Sequence, residues 1–416
     1  IERPNGDTNQ IKLKAKWVEE KTIDAAGNLL LKNRMGRVQE KKPINFQQKK
    51  GVETSFVLEK NVLSFKLADY NKNEILIIDP DLVWGSYYGG EGSDGVNAVT
   101  TDSEGNVYFC GNTYGSDSLA SGGFQNTNLA SQGGVASAFL VKFNEAGDRI
   151  WATYYGGLGG FTGGLSVAVD AQKNVYMAGF TYDFNNISFN GFQNNKSGIV
   201  DAYIVKFESD GDRLWGTYFG GSGDNLGSGI AVDHEDNVYL TGRTSSYDLP
   251  IFNAFQDMLG SDLDLYTDAF LAKFDASGAL LWSTYFGGNN SDASFAVTCN
   301  NTGDVFMTGR TNSTTNIFLD GHQSTFVGGN EFDAFLAKYN SSGTLQWSTY
   351  YGGEDKDLGW GCTTDNLGNV FICGQTKSTT NIASNGFQNS YAPSFLAKFN
   401  SNGVRLWGTY YGKNTS

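Results

Sequence analysis

Four aspartates, Asp94, Asp224, Asp292 and Asp357, each follow a Gly-Gly pair at a similar offset. Carboxylates are hard oxygen donors, and a ring of them could bind Ca²⁺. One further unit has only Gly159 and Gly160 in that stretch. The competing reading is that each aspartate caps a turn through its own backbone. Asp201, Asp268 and Asp333 each open an Asp-Ala-(Phe/Tyr) string and are expected to accept turn amides. Calcium is the one candidate cofactor.

Other chemistry finds little purchase. The chain has two histidines. His234 lies in the turn Asp233-His-Glu-Asp and reads as a solvated residue. His322 stands in Gly321-His-Gln, a slot that reads Gly123-Phe-Gln, Gly191-Phe-Gln, Ala254-Phe-Gln and Gly386-Phe-Gln elsewhere. It replaces a packing phenylalanine. With no histidine near a Ser/Asp pattern, a catalytic triad lacks support. No His-Glu-x-x-His, Cys-x-x-Cys, phosphate loop or dinucleotide fingerprint occurs. Glycoside hydrolysis needs a singled-out carboxylate pair, whereas the conspicuous acids here are repeated. Glu354 with Asp355 is the local excess. The expectation is a protein that is not an enzyme.

Cys110 and Cys373 hold a place that is Ala178, Thr241 or Thr308 in other copies, so they read as small core residues. Cys362 and Cys373 lie on neighbouring strands of one hairpin. They could pair in one of two registers, which leaves the redox compartment open.

The elements that position these residues are declared by repetition. The string Trp-x-Ser/Thr-Tyr-Tyr/Phe-Gly, or its close variant, begins at Trp84, Trp151, Trp215, Trp282, Trp347 and Trp407, at steps of 67, 64, 67, 65 and 60 residues. Such a period means one supersecondary unit copied along the chain. In one unit, Gly229-Ile-Ala-Val-Asp233, Asn237-Val-Tyr-Leu-Thr-Gly242, Asp268-Ala-Phe-Leu-Ala-Lys-Phe274 and Leu280-Leu-Trp-Ser-Thr-Tyr-Phe286 read as four short strands bounded by Gly/Asn/Asp/Ser turns. No sustained helical period appears. Four strands per unit, in tandem, suit the blade of a β-propeller. A blade has two apolar faces and buries them by stacking on its neighbours. The Gly-Gly pairs are expected to permit positive φ at the crossing between blades. Loops such as Tyr114 to Ala136, Asp183 to Val200 and Tyr247 to Thr267 vary most and collect on the expected binding face.

The fold class is therefore all-β: a β-propeller of four-stranded blades, five complete repeats visible, preceded by a small β-rich domain. A boundary is placed near residue 80. Residues 1–80 are more charged and glycine-poor; residues 11–18 and the Ser64-Phe-Lys-Leu-Ala-Asp stretch alternate as half-buried strands. Residues 81–416 carry the repeats. The Trp84 strand has no blade before it. Either further blades follow residue 416 or the ring closes at five; the reading favours further blades.

Gly is 54 of 416 residues and Pro 5, and the glycines punctuate strands. No run of about 18 apolar residues exists, so no membrane span is expected. Net charge is −14 and thinly spread, which excludes a phosphate-backbone footprint and nucleic acid as partner. One basic stretch, Lys32, Arg34, Arg37, Lys41, Lys42, Lys49 and Lys50, reads as a solvated face or an acidic-partner dock.

The strings Gly-Gly-x-x-x-Asp, Ala-Val-Asp-x-x-x-Asn-Val-Tyr, Gly-Phe-Gln-Asn and Asp-Ala-Phe-Leu-Ala-Lys-Phe resemble the bacterial SBBP β-propeller repeat over roughly residues 84 to 412. Ile77-Ile-Asp-Pro80, with Gly27-Asn-Leu-Leu-Leu31, Pro43-Ile-Asn-Phe-Gln47 and Val62-Leu-Ser-Phe-Lys66, looks like the second half of the β-rich domain that commonly precedes these repeats. The Asn-Gly-Phe-Gln strings look like Bacteroidota versions. The resemblance implies an extracellular or cell-surface exoprotein, exported across the outer membrane as type 9 secretion system cargo, with a role in adhesion or gliding. It implies protein partners at the cell surface or the secretion translocon. That route's export signal would be a C-terminal domain, which is not among these residues. Asp117-Ser118-Leu119 fits an O-glycosylation pattern of that group. Two alternatives stand beside this reading: a lectin-like glycan-binding propeller, and a propeller hydrolase or lyase.

Overall fold

The computed structural model describes residues 20–413, apart from 34–35, 41, 48–49, 60–61, 72–76, 80–84, 116–118 and 261–265. Residues 11–18, Trp84 and Asp117-Ser118 lie outside the described residues, as do parts of the basic stretch. The chain divides into two compact units, Ile1–Tyr88 and Gly89–Ser416.

The first unit contains eight described strands: β1 Glu20–Ile23, β2 Leu29–Asn33, β3 Gly36–Glu40, β4 Ile44–Gln47, β5 Lys50–Val52, β6 Thr54–Glu59, β7 Val62–Leu67 and β8 Ile77–Asp79. They form sheets β1-β2-β3 and β5-β4-β8 and the hairpin β6-β7. Alternation along β6 and β7 turns Phe56, Leu63 and Phe65 onto Leu29 in a small core.

The second unit is five four-stranded antiparallel meanders. Blade 1 is β9 Asp94–Thr101, β10 Val107–Thr113, β11 Ser137–Phe143 and β12 Arg149–Tyr155. Blade 2 is β13 Thr162–Val169, β14 Val175–Thr181, β15 Asp201–Phe207 and β16 Arg213–Phe219. Blade 3 is β17 Asn225–Val232, β18 Val238–Thr244, β19 Asp268–Phe274 and β20 Leu280–Phe286. Blade 4 is β21 Asp292–Cys299, β22 Val305–Thr311, β23 Asp333–Tyr339 and β24 Leu345–Tyr351. Blade 5 is β25 Asp357–Thr364, β26 Val370–Thr376, β27 Ser394–Phe399 and β28 Arg405–Tyr411. The fold is all-β and propeller-type, as the repeats imply. The first strand of each blade packs on the blade before it, β13 on β9 through β11 and so on to β25 on β21 through β23. No comparable packing joins β25 to β9. The array is an open arc, so the alternative of a ring closed at five is not what forms.

Each seam between blades is built from the same parts. The tryptophan indole donates across it: Trp151 Nε1 to Ser209 O at 2.9 Å, Trp215 to Ala276 O at 3.0 Å, Trp282 to Ser341 O at 3.0 Å and Trp347 to Ser401 O at 2.9 Å. Lys142, Lys206, Lys273 and Lys338 donate to the same four carbonyls. The accepting turn ends in a glycine at positive φ, such as Gly278 at +87°, whose missing Cβ would stand 2.9 Å from the Trp215 ring.

The Gly-Gly pairs answer to a different constraint from the one the sequence suggests. Among them only Gly156 has a φ in the positive region, at 159°. What requires glycine is space. A Cβ on Gly287 would lie 2.3 Å from Asp268 Cγ, and one on Gly288 2.0 Å from Thr315 O. The four cysteines are free. Cys362 faces Ile372 and Cys373 faces Gly361, so the register separates the two thiols.

Candidate functional site

Asp94, Asp292 and Asp357 open the innermost strands β9, β21 and β25. In β17 that place is held by Asn225; Asp224 stands one residue earlier and is exposed. In β13 it is Thr162. The three aspartates accept the amides of the preceding glycines, Gly90, Gly288 and Gly353, at 2.8, 2.9 and 2.8 Å. Ser313 and Ser378 donate to Asp292 and Asp357 at 2.7 and 2.8 Å. The four predicted residues thus lie in four different blades. Among the described residues, no group of three or more His, Cys, Asp or Glu is placed to hold a metal ion.

The structure pairs these acids with the second repeated set. At the seam of blades 2 and 3, Asn225 Nδ2 donates to Asp201 Oδ1 at 3.1 Å, and both lie within 2.6 Å of the point where a Cβ on Gly220 would stand. At the seam of blades 4 and 5, the same point above Gly352 lies 2.6 Å from Asp333 Oδ1 and 2.7 Å from Asp357 Oδ2. An acceptor has replaced the donor. Asp268, Asp292, Asp333 and Asp357 have no solvent exposure, and Oδ1 of each lacks a donor. Burial pushes their carboxyls up to about 8, 7, 7 and 6, and the facing carboxylate adds to this at Asp268 and Asp333. Two oxygens facing one another in a dry seam repel unless a proton lies between them. These acids can hold a proton; they cannot reach a substrate.

A separate carboxylate box organises blades 1, 2, 3 and 5, and in blade 4 Asn300 and Asp304 exchange the roles of acid and amide. Asp233 Oδ1 accepts the amides of Glu235 and Asn237, Asp233 Oδ2 accepts Tyr239 Oη at 2.9 Å, and Lys273 Nζ lies 3.6 Å away. Burial raises its carboxyl, but these hydrogen bonds outweigh that and hold it below the usual range. The string Asp-x-x-x-Asn-Val-Tyr spells this turn, and the lysine of Phe-Leu-Ala-Lys-Phe closes it. His322 fills its phenylalanine slot, 6.2 Å edge-on from Phe399 of the next blade, with burial and Arg405 lowering its pKa. His234 is exposed in its turn. The excess acid Glu354 accepts hydroxyl and amide donors from Thr379 and Thr380.

The variable loops lie along the outermost strands. The backbone N–H of the glutamine in each Gly/Ala-Phe/His-Gln string donates to the threonine hydroxyl of the tryptophan strand at 2.7–2.8 Å, which covers the blade edge. Asn190, Asn253, Asp320 and Asn385 precede it at positive φ, a conformation short polar side chains tolerate. Between the loops of blades 3 and 4 opens a cleft of about 490 Å³. Phe255, Met258, Leu259, Asn316, Phe318 and Leu345 line it. Phe255 is 51 % and Met258 71 % exposed. Among the described residues, the cleft walls hold one carboxylate, Asp257, and no histidine or cysteine. Its apolar side chains, interleaved with Gln256, Asp257, Asn316 and Ser348, suit binding. The sequence points to these loops by their variability, but no motif marks Met258 or Phe318.

Residues 1–81 match a domain of unknown function, DUF7948. Residues 214–250 and 346–382 match the SBBP family, described as a β-propeller repeat. An uncharacterized WD repeat-containing protein of Acanthamoeba polyphaga mimivirus is 22 % identical over 71 % of this chain and 25 % of its own length. Regulatory protein FlaEY of Caulobacter vibrioides is 26 % identical over 36 % of this chain and 15 % of its own. The chain thus spans about a quarter or less of these relatives. A gluconolactonase from Xanthomonas campestris aligns at 12 % identity over 87 % of this chain and 84 % of that one, with a TM-score of 0.33. The PQQ-bound aldose sugar dehydrogenase of Streptomyces coelicolor aligns at 9 % identity over 96 % of each, also at 0.33.

Proposed function

Taking as premise that the repeats are SBBP β-propeller repeats, we propose that this protein is a non-enzymatic binding or scaffold module. The observation that carries this reading is where the two kinds of residue sit. The carboxyls raised by burial are repeated and sealed in the seams, while the cleft between blades 3 and 4 is accessible and sets Phe255, Met258 and Phe318 beside Asp257 and Asn316. A binding site needs such a concave apolar surface with a few orienting polar groups. The partner class it suits is a protein segment presenting apolar side chains. The setting we infer, by resemblance of the repeats, is the cell surface after export, in adhesion or gliding.

A photo-reactive residue in place of Met258, used on the purified protein with outer-surface fractions of its source cells, tests both parts. The reading expects a defined protein adduct that Phe255→Ser and Phe318→Ser abolish. Adducts unaffected by those changes, or none at all, would defeat it. The lectin reading draws on the exposed rings Phe192, Phe255 and Phe387 beside Asn194, Asp257 and Asn385. Glycan-array binding lost on replacing those rings would put it first.

A further inference from the structure

Two positions on the inner strands change their chemistry from blade to blade. One is the residue before the last of each second strand: Asn112 in blade 1, Phe180 in blade 2, Arg243 in blade 3 and Arg310 in blade 4. The other is the residue that the β-bulge of each first strand leaves unpaired, Asn97 in blade 1 and Phe295 in blade 4. A bulge re-aims the side chain it sets free. In blade 1 both positions stitch the seam. Gly164 N donates to Asn112 Oδ1 at 2.9 Å, and Asn97 Nδ2 donates to Gly164 O at 2.8 Å. In blade 2, Phe180 packs between the rings of Phe161 and Tyr182.

Arg243 and Arg310 have no such task. Both are half-buried, and among the described residues neither guanidinium has an ion pair or a hydrogen bond. Arg310 Nε is buried without an acceptor. Its guanidinium lies 4.4 Å over the Phe332 ring and 5.9 Å from the Phe295 ring, on which Trp360 stacks at 4.5 Å. Burial, with the positive charge of Arg243 nearby, pulls the Arg310 pKa down. A cation taken from water without an anion beside it is costly. The chain has 44 acidic residues against 30 basic ones, so carboxylates are in surplus, yet none is set against this pair.

We propose that Arg243, Arg310 and Phe295 bind an acidic sugar, its oxyanion on the two guanidiniums and its pyranose face on the Phe295 ring. The planar guanidinium fork matches an oxyanion two bonds at a time. A bare anion would use the arginines alone. The flat ring beside them adds a surface on which the C–H groups of a pyranose pack. This site belongs to strands β18, β21 and β22, whereas the cleft lies among the loops of the outermost strands.

Nitrogen-15 NMR of the arginine Nε–H groups in the intact chain tests this, with the two signals assigned through Arg243→Gln and Arg310→Gln. The probes are D-glucuronate and D-glucose 6-sulfate, with acetate and D-glucose beside them. At least one acidic sugar is expected to shift both signals saturably, at lower concentration than acetate, while glucose leaves them in place. The more potent of the two tells a carboxylate site from a sulfate site. Each arginine variant is expected to weaken binding at least about tenfold, the loss of one charge-assisted hydrogen bond. Phe295→Leu is expected to bring the acidic sugar down to the strength of acetate. Signals that no probe moves would overturn the proposal. So would acetate or glucose acting as strongly as the acidic sugars, or Phe295→Leu leaving sugar binding unchanged.

Discussion

Raising the pH from 5 to 8 should loosen the second unit at two seams, and asparagine at two positions should remove the effect. Asp268 with Asp292, and Asp333 with Asp357, are enclosed without exposure. Burial raises their folded carboxyls from the ordinary carboxylate range to between about 6 and 8. A carboxyl raised on folding gives stability that is complete below its unfolded pKa and is lost as pH climbs through the folded one. Each pair that keeps one proton while the unfolded chain has none costs ~1.4 kcal/mol per pH unit in that window. From pH 5 to near 7 that is ~3 kcal/mol per pair, before relaxation of the seam reduces it. Asp292→Asn with Asp357→Asn offers the amide donor that Asn225 already supplies to Asp201. Urea unfolding of both proteins at half-unit pH steps reads the difference. The unaltered chain should lose ground to the double variant steadily above pH 5, with little difference near pH 4. A difference that does not change with pH would refute the shared-proton account, because an ordinary packing change has no such slope.

Other outcomes follow from the same geometry. Trp215→Phe removes the indole donor to Ala276 and should cost about 1 kcal/mol in thermal or urea unfolding. Asp233→Ala strips the turn box and leaves Lys273 buried without its carboxylate, so a loss of about 3–5 kcal/mol is expected in the same assay. Gly288→Ala sets a Cβ 2.0 Å from the Thr315 carbonyl and should destabilise more than Gly51→Ala, which meets nothing within 4 Å. Met258→Ser, at an exposed site, should stay within about 0.5 kcal/mol of the unaltered chain while weakening any ligand of the cleft.

Repetition made most of the fold legible. Six tryptophan strings at nearly equal steps, with four strand signals between them, dictate blades. The Asp-x-x-x-Asn-Val-Tyr turn and the phenylalanine slot of His322 were readable because each copy is a control for the others. Pairings between distant positions were not. Asp268 and Asp292 look like two separate turn residues until stacking brings them into one seam. The Gly-Gly pairs look like a φ requirement until the approaching carboxylate and carbonyl show that space is the constraint. The cleft of Phe255, Met258 and Phe318 belongs to loops without a shared pattern, so only the placement of two blades creates it. Sequence by itself determined the unit, its strands and their turns, because these depend on local pattern and on repetition. The tertiary structure alone decided which carboxyls meet and which loops come together in a cleft, because those follow from how one blade is set against the next.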